Sequence, residues 1–205
     1  MKSNRQLHRI SGFWEWFQAN AGAIANDPEN PELVNELDQR VRLLAPELTW
    51  EIGPGVSKPW QLVVSPDCQE DFRELARSVV AAAPSLEEWE FYPAKQPKEW
   101  DYKFELARES DEETVSIDAG QWTFVLLRYP DGVREILLKG TGLATITDDQ
   151  RQQAGAIVLE NVLGEDIFMD YVDEFEVLNE LGPRFVAKER PIQTLRAAVM
   201  GTTQG

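Results

Sequence analysis

Carboxylates are the only abundant reactive groups in this chain, and they crowd into one stretch. Thr147–Leu178, TDDQRQQAGAIVLENVLGEDIFMDYVDEFEVL, carries nine acidic side chains and a single arginine in thirty-two residues. Glu165, Asp166, Asp170, Asp173 and Glu174 lie in its second half, with Tyr171 among them. Oxygen donors at this density are the kind that Ca²⁺ or Mg²⁺ takes, and paired carboxyl groups across a cleft are the acid and base of glycoside hydrolysis. The spacing does not match an EF-hand loop, and an acid with a raised pKa needs an apolar cleft around it. What the cluster supplies without further help is a field that repels anions and draws a cationic partner, beside an aromatic anchor. Glu165, Asp166, Asp170, Tyr171, Asp173 and Glu174 are therefore the expected partner-binding residues.

Other chemistries fail on residue counts. The chain has one histidine, His8, expected in a mobile N-terminus, and one cysteine, Cys68. A Ser-His-Asp or Cys-His arrangement lacks its base, and one Cys with one His cannot furnish a structural zinc site. Cys68 precedes a helix whose dipole would lower its pKa, which makes it the thiol to test for reactivity. Neither a Walker-type loop nor a dinucleotide-binding glycine pattern occurs, and Gly53-Pro54-Gly55 reads as a turn. No catalytic residue, cofactor or metal is expected. Lys and Arg number 20 against 36 Asp and Glu, a formal net charge of −16, so binding to nucleic acid through its phosphates is excluded. A lone cysteine excludes an intramolecular disulfide and points to a reducing compartment, the cytoplasm. The N-terminal residues show no continuous apolar signal core, and nowhere do eighteen apolar residues run together, so neither secretion nor membrane spanning is expected.

The elements that would position the cluster are legible by period and by caps. Thr147 and Gln150 form a capping box ahead of a helix carrying Ala154, Ile157, Val158, Asn161 and Val162, and Gly164 supplies its left-handed stop. Beyond it, Phe175 and Val177 alternate with Glu174 and Glu176, the pattern of a half-buried strand. At the other end of the chain a helix is predicted from Ser11 to Ala25, with Phe13, Trp16, Phe17, Ala21 and Ile24 on its apolar face and Trp14 beside that face. Asn30-Pro31 starts a second helix with Leu33, Leu37, Val41 and Leu44 inward.

A hairpin follows, Leu48–Ile52 and Trp60–Val64, then a helix capped by Asp67 and Glu70, then a strand at Trp89–Tyr92. Residues 93 to 113 turn rich in Lys, Pro, Glu and Asp, with a strand at Tyr102–Ala107 and an acidic run at the end, and they mark the best boundary. Pro130-Asp131-Gly132 joins two nearly continuous apolar runs, Trp122–Tyr129 and Val133–Lys139, which read as central strands of a hairpin. The tail holds a short helix within Pro191–Met200. Residues 48 to 92 and 122 to 178 thus repeat the order strand, turn, strand, capped helix, strand, the second copy carrying an insertion at Gly164–Tyr171.

The expected fold class is α+β: an antiparallel sheet covered by helices in two ββαβ-like halves, with two N-terminal helices, folded as a single domain over 1–205 with pseudo-duplicated halves 1–108 and 109–205. Gly12-Phe13-Trp14-Glu15-Trp16-Phe17, together with Val162–Asp166 and the Tyr171–Val177 segment, resembles uncharacterised bacterial proteins that begin with an FWxWF-type helix. That resemblance implies a bacterial cytoplasmic protein and transfers no catalytic residue. The expected function is a non-enzymatic, acidic protein-binding module, immunity- or adaptor-like, that engages a basic protein partner, with Tyr171, Phe168 or Trp14 as anchors. The alternatives are a carboxylate-dependent enzyme or divalent-cation-binding protein with a cleft between the halves, and a purely structural subunit of a homo-oligomer.

Overall fold

The computed structural model describes residues 2–107, 114–143 and 146–201. The fold is α+β, and the chain divides into two compact units, Met1–Lys95 and Gln96–Gly205, each with its own hydrophobic core.

The first unit opens with α1 (Lys2–Asn26) and α2 (Pro31–Leu44). His8 therefore sits in an exposed position on a regular helix rather than in a loose terminus. Phe13, Trp16, Phe17, Ala21 and Ile24 are buried as their spacing requires, and so is Trp14, which sequence reasoning placed beside the apolar face. Its one polar atom is satisfied there. The Trp14 indole N–H donates to the Val79 carbonyl at 2.7 Å, satisfying an acceptor in the last turn of the helix that contains it. The α2 start follows its sequence signal: Asn30 accepts from the Glu32 and Leu33 amides, with Pro31 in the first turn.

After α2, β1 (Thr49–Pro54) and β2 (Trp60–Ser65) form an antiparallel hairpin, α3 (Glu70–Ala81) crosses over, and β3 (Trp89–Tyr92) returns parallel to β2, giving the order β1-β2-β3. Antiparallel pairing thus holds within the hairpin, while the helical crossover brings the third strand back parallel. Phe17 packs edge-to-face on Trp89 at 5.0 Å and on Phe91 at 5.7 Å, so the aromatic stripe of α1 is the cover of β3. The cap expected of Asp67 is absent: Gln69 precedes α3 with no side-chain cap bond, and Asp67 (φ 52°) and Cys68 (φ 58°) both take left-handed conformations. Asp67 instead pairs with Lys95 at 3.0 Å.

The second unit begins with a two-stranded antiparallel hairpin, β4 (Lys103–Ala107) and β5 (Thr114–Asp118). The acidic run between them lies outside the described residues. β6 (Thr123–Arg128) and β7 (Arg134–Lys139) form the next hairpin, followed by α4 (Asp148–Leu163), α5 (Glu165–Tyr171) and β8 (Glu174–Leu178), which pairs parallel to β7. A two-residue strand β9 (Arg190–Pro191) flanks β6, and α6 (Leu195–Val199) follows; the order is β8-β7-β6-β9. The two apolar runs are indeed central. Phe124, Ile136, Leu138 and Val177 bury one sheet face with Ala154 and Val158 of α4, while Val125 and Leu137 on the other face pack with Leu181. α4 reaches β8 closely at Gly155, where a Cβ would stand 2.9 Å from the Phe175 ring and closer still to Val177.

Candidate functional site

The acidic stretch begins where α4 stops. Leu163 is buried and Gly164 takes φ 80° and ψ 152°, a conformation that favours glycine, so the chain ends one helix and starts the next within a single residue. The residues of the expected insertion thus form α5. Along α5 the acids do not share one environment: Glu165 is fully buried, Asp166 is half-buried and Asp170 is exposed. Tyr171, Asp173, Glu174 and Glu176 are exposed, while Phe175 and Val177 point into the core as their alternation predicts.

Parallel pairing of β8 with β7 lays the start of one strand against the start of the other, and this brings Arg134 to the acidic segment. The Arg134 amide donates to Asp173 Oδ2 at 2.8 Å and its Nε donates to the same oxygen at 3.1 Å. Its terminal nitrogen donates to the Asp170 carbonyl at 2.7 Å, and its guanidinium lies 5.1 Å from the centre of the Tyr171 ring. One arginine therefore fixes the α5–β8 corner through a charge-assisted hydrogen bond, a backbone contact and a cation–π contact. The Asp173 carboxyl is held below its ordinary range first by the Arg134 backbone N–H and then by the Arg134 side chain, against the opposing effect of burial.

Next to this corner Glu135 stands in register with Glu174, two carboxylates abreast on neighbouring strands. Glu135 accepts the Tyr129 hydroxyl at 2.5 Å. That hydrogen bond is the main reason the Tyr129 hydroxyl titrates above its usual range, with burial and the Glu135 and Glu174 charges adding to it and Arg184 opposing. The side chains of Glu174 and Glu176 make no hydrogen bond or ion pair among the described residues.

The segment thus sorts its expected binding residues by environment. Asp170, Tyr171, Asp173 and Glu174 gather at one corner, with Asp173 already satisfied by Arg134. Glu165 is inside the fold and has no exposed face to offer. Among the described residues no three of Glu165, Asp166, Asp170, Asp173 and Glu174 converge on one point as cation ligands do. Of the three aromatic anchors, Tyr171 is exposed, Phe168 is half-buried edge-to-face against Phe175 at 5.9 Å, and Trp14 is interior. Sequence reasoning missed Arg134, Tyr129 and Glu135. The signal for them was the ββαβ order itself, which sets the start of β7 beside the start of β8 once the helix crosses over. No protein-family model, curated protein or solved structure matches the chain.

Proposed function

We propose that this protein is a non-enzymatic binding module whose acidic corner at the α5–β8 junction engages a basic protein partner, in the manner of an immunity protein or a regulatory adaptor. The observation that carries the reading is the exposed Tyr171, held over Arg134 and flanked by the exposed carboxylates of Asp170, Glu174 and Glu176. A rigid amphipathic ring loses little conformational entropy on binding, and surrounding carboxylates steer and select a cationic surface. The formal charge of −16 adds to the steering and disfavours a nucleic-acid partner. The single cysteine fits a reducing compartment, the cytoplasm.

Capture from the native cell lysate on immobilised protein, at low and at high salt, tests this reading. A basic protein retained at low salt, released at high salt and lost with Tyr171→Ala is the expected outcome, the substitution costing about 2 kcal/mol of binding as a central anchor does. Retention that ignores both salt and Tyr171 would overturn it.

A further inference from the structure

The two units carry a glutamate at the same point of the same motif and treat it differently. In the first, Glu90 on β3 stands in register with Gln61, the second residue of β2; in the second, Glu174 on β8 stands in register with Glu135, the second residue of β7. The Glu90 carboxylate is taken up by its own hairpin loop: it accepts from the Val56 amide, from the Ser57 amide at 3.2 Å and from the Ser57 hydroxyl at 2.5 Å. Among the described residues Glu174 has no such cradle. Its register neighbour is a second carboxylate, and Glu176, two residues on and on the same face, is equally unpaired among the described residues. Like charges abreast on a sheet face oppose folding, so this arrangement leaves electrostatic demand on the outside of the strand.

β8 is also an edge. β7 lies on one side of it and, among the described residues, no strand pairs with the other, its principal neighbours being β7 and α4. An edge presents unpaired amide and carbonyl groups, ready to accept another strand. A second β8 laid alongside would set glutamates near glutamates, which disfavours self-pairing. An extended segment with Lys or Arg at alternate positions would pair its backbone with β8 and its cations with Glu174 and Glu176.

We propose that the free edge of β8 receives such a segment of a partner protein as an added strand, an inference that rests on the acidic-corner reading and specifies its geometry. The test is an NMR titration of the isotope-labelled full chain with a short peptide alternating Lys and Val, beside a peptide of equal charge alternating Lys and Pro. The Lys-Val peptide is expected to shift the β8 amides and to bind about tenfold more tightly than the Lys-Pro peptide, whose prolines fix φ at about −65° and remove every second backbone N–H, holding it away from a regular ladder. Glu174→Lys with Glu176→Lys is expected to weaken it by about tenfold or more; both sites are exposed, and Glu174→Gln with Glu176→Gln gives a milder pair should the reversal perturb folding. Equal binding of the two peptides, or shifts that bypass β8, would overturn strand addition and leave the acidic-corner reading standing. If neither peptide binds, both fall.

Discussion

Arg134 shows how one residue can settle the character of a surface. Its guanidinium pairs with Asp173 and covers the Tyr171 ring, so the carboxylates left without an ion pair among the described residues include those of Glu174 and Glu176 on the neighbouring strand. The clasp has a pH signature. Asp173 is depressed in the folded state, so its contribution to stability is complete above the unfolded value of about 3.9 and disappears as pH falls through the lower folded value. A carboxyl-carbon NMR titration should place the Asp173 midpoint below that of an unpaired aspartate. In Arg134→Ala the backbone N–H remains while the guanidinium is gone, so the midpoint should move only part of the way back. A midpoint unchanged by that substitution would mean the side chain adds nothing. The sequence showed the ββαβ order but not the strand pairing, and Arg134 and Asp173, far apart in the chain, meet only through the parallel pairing of β7 with β8.

At the level of elements, the signals that survived into the structure are those whose chemistry is local. The Thr147 hydroxyl accepts from the Gln150 amide at 3.2 Å and the Gln150 side chain accepts from the Thr147 amide at 3.1 Å, so the capping box could be read from four residues. Asp67 and Glu70 have the same spacing and fail, since the chain leaves β2 through two left-handed residues and turns the Asp67 carboxylate toward Lys95. β5 escaped notice although Val115 and Ile117 alternate with Thr114, Ser116 and Asp118, because the acidic run before it masked the period. Trp14 was misjudged because helical spacing alone gives no sign of α3, whose Val79 carbonyl receives its indole N–H. Gly155 carries no local signal either; its need appears only where α4 meets Phe175 and Val177 of β8. Gly155→Ala gains helix propensity yet must push α4 off the sheet, and overpacking of this kind costs about 1–3 kcal/mol. Chemical denaturation should show the loss as a lower midpoint at unchanged slope; a midpoint at or above that of the parent protein would contradict the close approach.

Across the whole molecule, the register of the two hairpins is shared residue for residue. Thr49–Ser65 and Thr123–Lys139 both span seventeen residues, with strands of six and a five-residue connection, and each position of the first is displaced by 74 in the second, from 49 to 123 and from 65 to 139. Each motif then adds a helix and a parallel third strand. The expected halves met between residues 108 and 109, whereas the compact units meet between 95 and 96, at the head of the Lys- and Pro-rich stretch rather than its acidic end. Because the side chains that build its buried core all lie within residues 1–95, that segment expressed alone should unfold cooperatively. A non-cooperative, dye-binding state of that fragment would show that its fold depends on the remainder. Five of the seven tryptophans, Trp14, Trp16, Trp50, Trp60 and Trp89, belong to the first unit, and only Trp100 and Trp122 to the second. Ultraviolet light therefore finds the two units unequally bright: intrinsic emission follows chiefly the melting of the aromatic cluster under α1, while the unit bearing the acidic corner is better followed by its amide absorption.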